Sequence, residues 1–498
     1  MKKRDIFSGW GVPALIAGLT LADFVVMLFF PDNLPAWVQA GWLLLALGAG
    51  VLCFRKKPQG IIEWLIIGYF LWTVVTRLVL RDFTYKAWIE LLRSASIMLV
   101  FLLVHRMPEG QSRRVWQLFG GLLCAYLTVW AVQGLRVVLT GGNEFGFWRQ
   151  VLSIAEEEEV RFVQVGSLHR NSTAAWFMIG LWLLCIQWNL CEKKVWRVPI
   201  ALDALLMYCM MALQRCRSVC VGVGIGVGLL AAMGVWKACR DRKRVVQVPL
   251  ALLAAAVCAL TVYKSFDWTN DGLTRFSARV QMKTASQVEA GEMRVAPMET
   301  PTAGIVSAAE MISAPESVPE VSDTAAIVSQ AALIKITGLE TVPPLREGNQ
   351  VEDNRNFFRD LLTLTGRTGI WLSELYVVKS NPMFLIFGQK RTEIVQNLAI
   401  YAGMTRASHT HNGYIQILAL YGLPGLILFG LFSVLLVKKV VLLFFSDASV
   451  FRKLFLIPVI ALLLYSVLEP LFCSSCMPSV CFALFAAGLD AAQNEKLH

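Results

Sequence analysis

The sequence predicts an all-α polytopic membrane protein with about twelve transmembrane helices and one large extracytoplasmic loop. Three observations predict it. Of 498 residues, 56% are hydrophobic, and the mean hydropathy is +0.58, more than a water-soluble domain of this size carries. Apolar runs of about 17–25 residues, the length that crosses a bilayer core, recur along most of the chain. The short segments between them alternate between basic and non-basic, the pattern of the positive-inside rule. Backbone polar groups in lipid must be satisfied within each segment, so the runs are helices.

The predicted spans fall at roughly 10–30, 36–53, 61–80, 87–105, 115–139, 171–190, 197–213, 218–235, 247–265, 413–436, 454–473 and 476–493. The first follows "MKKRD", a start that also opens secretory signals. It is followed by no convincing small-residue cleavage site and reads as a retained helix. With the N-terminus inside, the inside loops are "FRKKPQG", "RMPEGQSRR", "CEKKVWR", "KACRDRKRVV" and "VKKVVLLFFSDASVFRK", all basic. The outside segments "PDNLP" and "CSS" carry no positive charge, and "RDFTYK" carries Arg81 and Lys86. Both termini are therefore predicted to be cytoplasmic. The formal charge of +11 is a topology signal. No soluble module offers a basic face, which excludes a nucleic-acid partner.

Four regions follow. Residues 1–139 form N-terminal transmembrane helices, and 140–265 form central ones with a short outside loop. Residues 266–411 form the large extracytoplasmic loop, and 412–498 the C-terminal helices. The short loop contains the acidic run Glu156–Glu159, which reads as a solvated face. The large loop has no cysteine, so no disulfide framework is expected there. Cys473 and Cys476, in "CSSC", read as small residues near a helix end. The stretch at about 284–350 is rich in Ala, Ser, Val, Glu and Pro and is expected to be disordered or loosely helical. "NRNFFRDLLTLTGRTGIWLSELYVVKSNP" predicts two helical pieces lying on the outer membrane face. After the loop, "NGYIQILALY" is too short to span, and Gly422, Pro424 and Gly425 follow it. That predicts a broken helix, a feature tolerated at membrane depth where it lines a cavity.

The candidate chemistry gathers around that break. Two of the five histidines, His409 and His411, precede it directly. An imidazole is the side chain best suited to take a proton near neutral pH, so His411 is the candidate base, with Asn412 next to it. The H-x-H pair alone is short of a zinc site, which needs a third or fourth ligand. His169 and Glu156–Glu159 are the outside candidates, and no metal or cofactor is predicted. Arg217 and Arg215 lie in a very short outside turn between two spans. Charges so close to lipid are costly and usually partnered, and a guanidinium binds phosphate oxygens bidentately. The glycines after Arg217 (Gly222, Gly224, Gly226, Gly228) read as helix packing. Arg367 sits in the outer flank beside Gly366 and Gly369. Glu90 and Arg93, three residues apart on one helix face, are expected to neutralise each other. Asp23 and Asp203 are polar positions within spans, without an assigned role. An outward base with several outward arginines suits a reaction at the membrane surface on a lipid-linked, phosphate-bearing substrate. No P-loop appears, so the donor need not be a nucleotide.

The segment "HTHNGYIQILALYGLPGLILF" resembles the signature of the O-antigen ligase and O-antigen polymerase superfamily: His-Asn, then Tyr, an aliphatic residue, Gln, and a later Gly-x-x-Gly-Leu run. "QRCRSVCVGVGIGVG" resembles that family's Ser-Arg-Gly turn, with Cys216 where serine is usual and Arg217 on the arginine. "GRTGIWLSEL" resembles its Arg-x-x-x-Trp segment, with Arg367 and Trp371 matched. "GSLHRNSTAAW" resembles the entry to a central span, with Asn171 on the family's asparagine. The resemblance covers about residues 165–437. It departs at Leu420, where glutamate is usual, and in "NPMFLIFGQKR", which keeps only Gly388 of a glycine-containing motif. It implies a C-type glycosyltransferase-like membrane fold in the bacterial cytoplasmic (inner) membrane, with the active site extracytoplasmic. It also implies metal-independent, inverting glycosyl transfer from an undecaprenyl-diphosphate-linked glycan. His411 would be the base. Arg217 and Arg367 would bind the diphosphate, with Arg215, Asn412, His409, Asn171 and Tyr414 completing the substrate site. The acceptor would be lipid A core for a ligase, favoured by the close His-Asn element, or another lipid-linked glycan for a polymerase. A transporter or lipid-linked glycan flippase is the rival reading. It requires ionisable residues near mid-span in both halves of the bundle.

Overall fold

The computed structural model describes residues 11–29, 34–58, 60–107, 109–140, 152–157, 160–165, 170–214, 216–292, 367–402, 409–446, 448–471 and 479–490. Along the chain run α1 (Gly11–Phe29), α2 (Ala36–Phe54), α3 (Gly60–Val79), α4 (Tyr85–His105), α5 (Glu109–Val115), α6 (Gly121–Thr140), β1 (Leu152–Glu157) and β2 (Val160–Val165). Next come α7 (Arg170–Leu190), α8 (Arg197–Leu213), α9 (Arg217–Ala238) and α10 (Arg244–Glu292). The last set is α11 (Arg367–Ser380), α12 (Pro382–Phe387), α13 (Arg391–Ala402), α14 (Gly413–Phe445), α15 (Val450–Leu454), α16 (Leu456–Leu468) and α17 (Ser479–Asp490). Among the described residues, ten helices are long and apolar enough to cross a membrane, which makes the chain a polytopic membrane protein. Shorter apolar helices, Gly11–Asp23 and Ser479–Leu489, stand where the first and last spans were expected.

Two features depart from the expected pattern. The acidic run lies partly in an antiparallel hairpin: Glu156 is opposite Arg161 and Glu157 opposite Val160 in the backbone register. The chain is therefore not wholly helical. Helix α10 also continues past 265, for 49 residues in all. At 1.5 Å per residue that is about 74 Å, against roughly 30 Å of bilayer core. Ser277 Oγ donates to Val138 O, so α10 still touches the end of α6 at that point. Most of the low-complexity stretch, from 293 onward, lies outside the described residues, as do Cys473 and Cys476.

Helix α4 is the most enclosed of the spans, and it packs against α1, α2, α3 and α17. Its charges are not paired as expected. Arg93 Nε donates to Asp23 of α1 at 2.6 Å. Glu90 accepts from Arg77 of α3 at 2.5 Å and from Arg391 of α13. Each residue instead reaches a close counter-ion on a neighbouring helix, as a buried charge requires. The α9 glycines pack as expected: a Cβ at Gly228 would lie 2.9 Å from Ala255 O, so α9 and α10 meet backbone to backbone.

The predicted break in α14 is present. Gly422 has φ 65° and ψ −172°, a conformation open essentially to glycine alone. Pro424 then sits in the first turn of the following piece, where its missing N–H is harmless. Carbonyls at the break find donors elsewhere: Ala419 O accepts from Gln389 N at 2.7 Å, and Tyr421 O from Trp72 Nε1 at 2.7 Å. Gly388, at φ 76°, ends α12 and lies so close to the break that a Cβ there would be 2.6 Å from Tyr421 N. Helices α11–α13 are thus locked onto the kink, where two helical pieces were expected to lie on the outer membrane face. The predicted part 354–366 lies outside the described residues.

Candidate functional site

The site is assembled where several helices begin. Asn412 caps α14: its Oδ1 accepts from Tyr414 N at 2.9 Å and Ile415 N at 3.1 Å. The residue before it, His411, is held at φ 51°, a left-handed conformation that only a few non-glycine residues adopt. Its backbone N donates to His409 Nδ1 at 3.3 Å, and the two rings meet edge-on with centroids 4.2 Å apart. Thr410 between them is buried. Its N donates to Gln416 Oε1 at 2.8 Å, and its carbonyl accepts from Trp371 Nε1 at 2.9 Å. The H-T-H turn is therefore gripped by α11 and α14, and a strained backbone aims His411.

It is aimed at Glu469, which follows the last residue of α16 and is 1% exposed. Glu469 Oε1 accepts from Asn171 Nδ2 of α7 at 2.7 Å and from Arg367 Nη2 of α11 at 3.0 Å. Arg367 Nη1 also donates to Leu468 O at 2.6 Å. The second oxygen, Oε2, lies 3.6 Å from His411 Nδ1, within ion-pair reach but beyond a hydrogen bond. That Nδ1 is buried and has no hydrogen-bond partner. Burial alone would push the Glu469 carboxyl up. The His411 ring, the Arg367 guanidinium and the His409 ring outweigh it and hold the group below the ordinary carboxylate value. Behind it, Tyr465 OH donates to Asn171 O at 3.2 Å, which fixes the asparagine.

Cys216 is buried within electrostatic reach of Glu469 and Arg367. Burial and the Glu469 charge push its thiol up to about 11, so it is an inert packing group. Its neighbour Arg217 opens α9 and is half-buried. The first turns of α7, α9, α11 and α14 thus gather around one carboxylate and one imidazole. Each brings the positive end of a helix dipole, so together they favour a bound anion.

The structure brings His411, His409, Asn412, Asn171 and Arg367 together, with Arg217 one residue beyond Cys216. Asn171 and Arg367 orient Glu469, and Asn412 is committed to its cap. Tyr414 is directed away: its hydroxyl donates to Leu463 O at 3.5 Å inside the bundle. Arg215, His169 and Glu158–Glu159 lie outside the described residues. The residue that sequence reasoning missed is Glu469. Its one signal was an acidic side chain at the end of an apolar run, where charge is costly unless partnered. The three side chains His409, His411 and Glu469 also form the one group of potential metal ligands among the described residues. Neither a scan against protein-family models nor a search of curated proteins gave a match to this chain.

A second buried carboxyl stands nearby. Glu374 of α11 is 1% exposed; its Oε1 accepts from Gln389 Nε2 at 2.6 Å, while its Oε2 has no partner. Burial, partly offset by the Gln389 hydrogen bond, pushes it from 4.5 up to about 7. The folded protein therefore holds this proton at pH values where the unfolded chain has lost it. Stability falls as pH rises from about 4.5 to about 7 and is level above that. The two limits differ by about 3 kcal/mol for this group. Glu374→Gln is expected to flatten the dependence and to raise the melting temperature at pH 8. An unchanged slope between pH 5 and pH 8 in thermal unfolding would assign that slope to other groups.

Proposed function

We propose that the protein transfers a glycan from an undecaprenyl-diphosphate-linked donor to an acceptor hydroxyl on the outer face of the cytoplasmic membrane, as O-antigen ligases do. The observation that carries the reading is the His411–Glu469 pair set among four helix N-termini and the Arg367 guanidinium. Glu469 facing Nδ1 favours the tautomer with its proton there, which leaves Nε2 to take a proton from the acceptor hydroxyl. The deprotonated oxygen attacks the anomeric carbon, the bond to the lipid diphosphate breaks, and the helix N-termini and arginines take up the charge of that leaving group. Inversion follows from a single displacement. The N–O pair at 3.6 Å closes to a hydrogen bond when the substrate is bound, a tightening common in catalytic sites. The C-type glycosyltransferase-like fold and a count of twelve spans belong to the same reading.

A polymerase of the same superfamily would use this chemistry with a second lipid-linked glycan as acceptor. A transporter is favoured by the buried Asp23–Arg93 pair in the first half of the bundle. One experiment separates the three. Purified protein in lipid is given labelled undecaprenyl-diphosphate-linked glycan, with lipid A core or spare donor in separate tubes, and His411→Ala alongside. Label on lipid A core is the expected result, lowered by about 10²–10⁴-fold in His411→Ala. Longer lipid-linked chains would make the protein a polymerase. Label crossing a vesicle bilayer without any transfer would make it a transporter.

A further inference from the structure

We propose that His409, His411 and Glu469 together bind one zinc-class divalent cation, and that this cation switches the site off. The three side chains can each offer one ligand atom, and these atoms lie within 4.8 Å of one another. Two imidazoles and one carboxylate form a donor set suited to zinc and its neighbours rather than to calcium or magnesium. The distances agree. Zinc–ligand bonds of about 2.0–2.2 Å in a tetrahedron put two ligand atoms about 3.4 Å apart. His411 Nδ1 and Glu469 Oε2 stand at 3.6 Å, too far for a hydrogen bond and close to that spacing. The nitrogen is buried and without a hydrogen-bond partner. The carboxylate is already oriented for this role, because Asn171 and Arg367 hold Oε1 and leave Oε2 directed at the ring. The His409 ligand atom lies within 4.8 Å of the other two, and its ring moves to complete the set. Three protein ligands leave a fourth position open to water or to a phosphate oxygen. The Arg367 charge opposes a dication, so binding is expected to be reversible.

The inhibitory part rests on the reading of His411 as the base. An imidazole ligated through Nδ1 carries its proton on Nε2 and cannot accept a second one there. A cation at this site therefore removes the lone pair that glycan transfer uses. No bond of the substrate is made or broken by the metal.

The test uses the full chain in lipid nanodiscs, stripped with EDTA and then titrated with Co²⁺, whose tetrahedral complexes absorb visible light. The expected result is saturable absorption at one Co²⁺ per chain, abolished by added Zn²⁺ and weakened about tenfold or more in His409→Ala and in Glu469→Gln. His409 lies on a partly exposed loop, so that variant keeps the test valid if Glu469→Gln fails to fold. No saturable absorption, or equal absorption in wild type and His409→Ala, would overturn the site. The second readout is glycan transfer: saturating Zn²⁺ should stop it and EDTA restore it. Zinc binding that leaves transfer untouched would keep the metal site and overturn inhibition together with the base role of His411. Absence of Co²⁺ binding alongside His411-dependent transfer would overturn only the metal site.

Discussion

Glu469→Ala is expected to abolish glycan transfer, by at least about 10²-fold per folded molecule, and to destabilise the outer end of the bundle. The carboxylate is the common partner of Asn171, Arg367 and His411. Removing it takes from the Asn171 amide and from Arg367 Nη2 the acceptor they share, and leaves the largely buried guanidinium without a counter-charge. Breaking such a pair from one side costs about 3–5 kcal/mol, and the one-fifth exposure of Arg367 puts this case toward the lower figure. Loss of fold and loss of function have to be separated. Glu469→Gln keeps an oxygen for Asn171 and Arg367 and should leave the melting temperature nearer wild type. It still removes the charge facing His411 Nδ1. Transfer assays and thermal unfolding of both variants check this. Full activity of Glu469→Gln per mole of folded protein would reduce the residue to a structural tie.

Gly422→Ala should have the largest effect on folding. At φ 65° and ψ −172° a side chain is disfavoured before any contact is counted, at about 1–3 kcal/mol. A Cβ there would also overlap the Ile386 carbonyl and lie 2.8 Å from Leu385 O, both backbone groups of α12. Backbone cannot swing aside as a long side chain can, so a further ~1–3 kcal/mol follows from the clash. The expected result is release of α11–α13 from the kink, seen as new protease cleavage between α11 and α13 and loss of folded protein. Gly430→Ala is the control: it lies on the same helix, and a Cβ there meets nothing within 4 Å. Equal behaviour of the two variants would refute the locked-kink account.

The sequence made the membrane class legible, because apolar run length and loop charge are local properties. It made the α14 break legible for the same reason: Gly422 and Pro424 are constrained whatever surrounds them. His411 and Asn412 were found through their position before that break. The partners of Glu90 and Arg93 were not legible, since a three-residue spacing says which face a charge lies on and nothing about which helix meets it. Glu469 was hidden in a different way. It is 298 residues from Asn171 and 102 from Arg367, and no periodicity connects residues so far apart. The docking of α11–α13 depends on Gly388 and Gly422 approaching each other's backbones, a tertiary contact with no local sign beyond the glycines. The hairpin at 152–165 was masked by its glutamates, which are poor strand formers.

The order of synthesis gives the Glu469 contacts a further consequence. Asn171, Arg367 and His411 all leave the ribosome before Glu469 does, and each would meet the membrane interface without its counter-group. Until α16 is in place, the charges around His411 stay unpaired and the H-T-H turn has no carboxylate to face. The carboxylate–imidazole pair is therefore completed only after most of the spans have been made, with α17 alone of the described helices still to come.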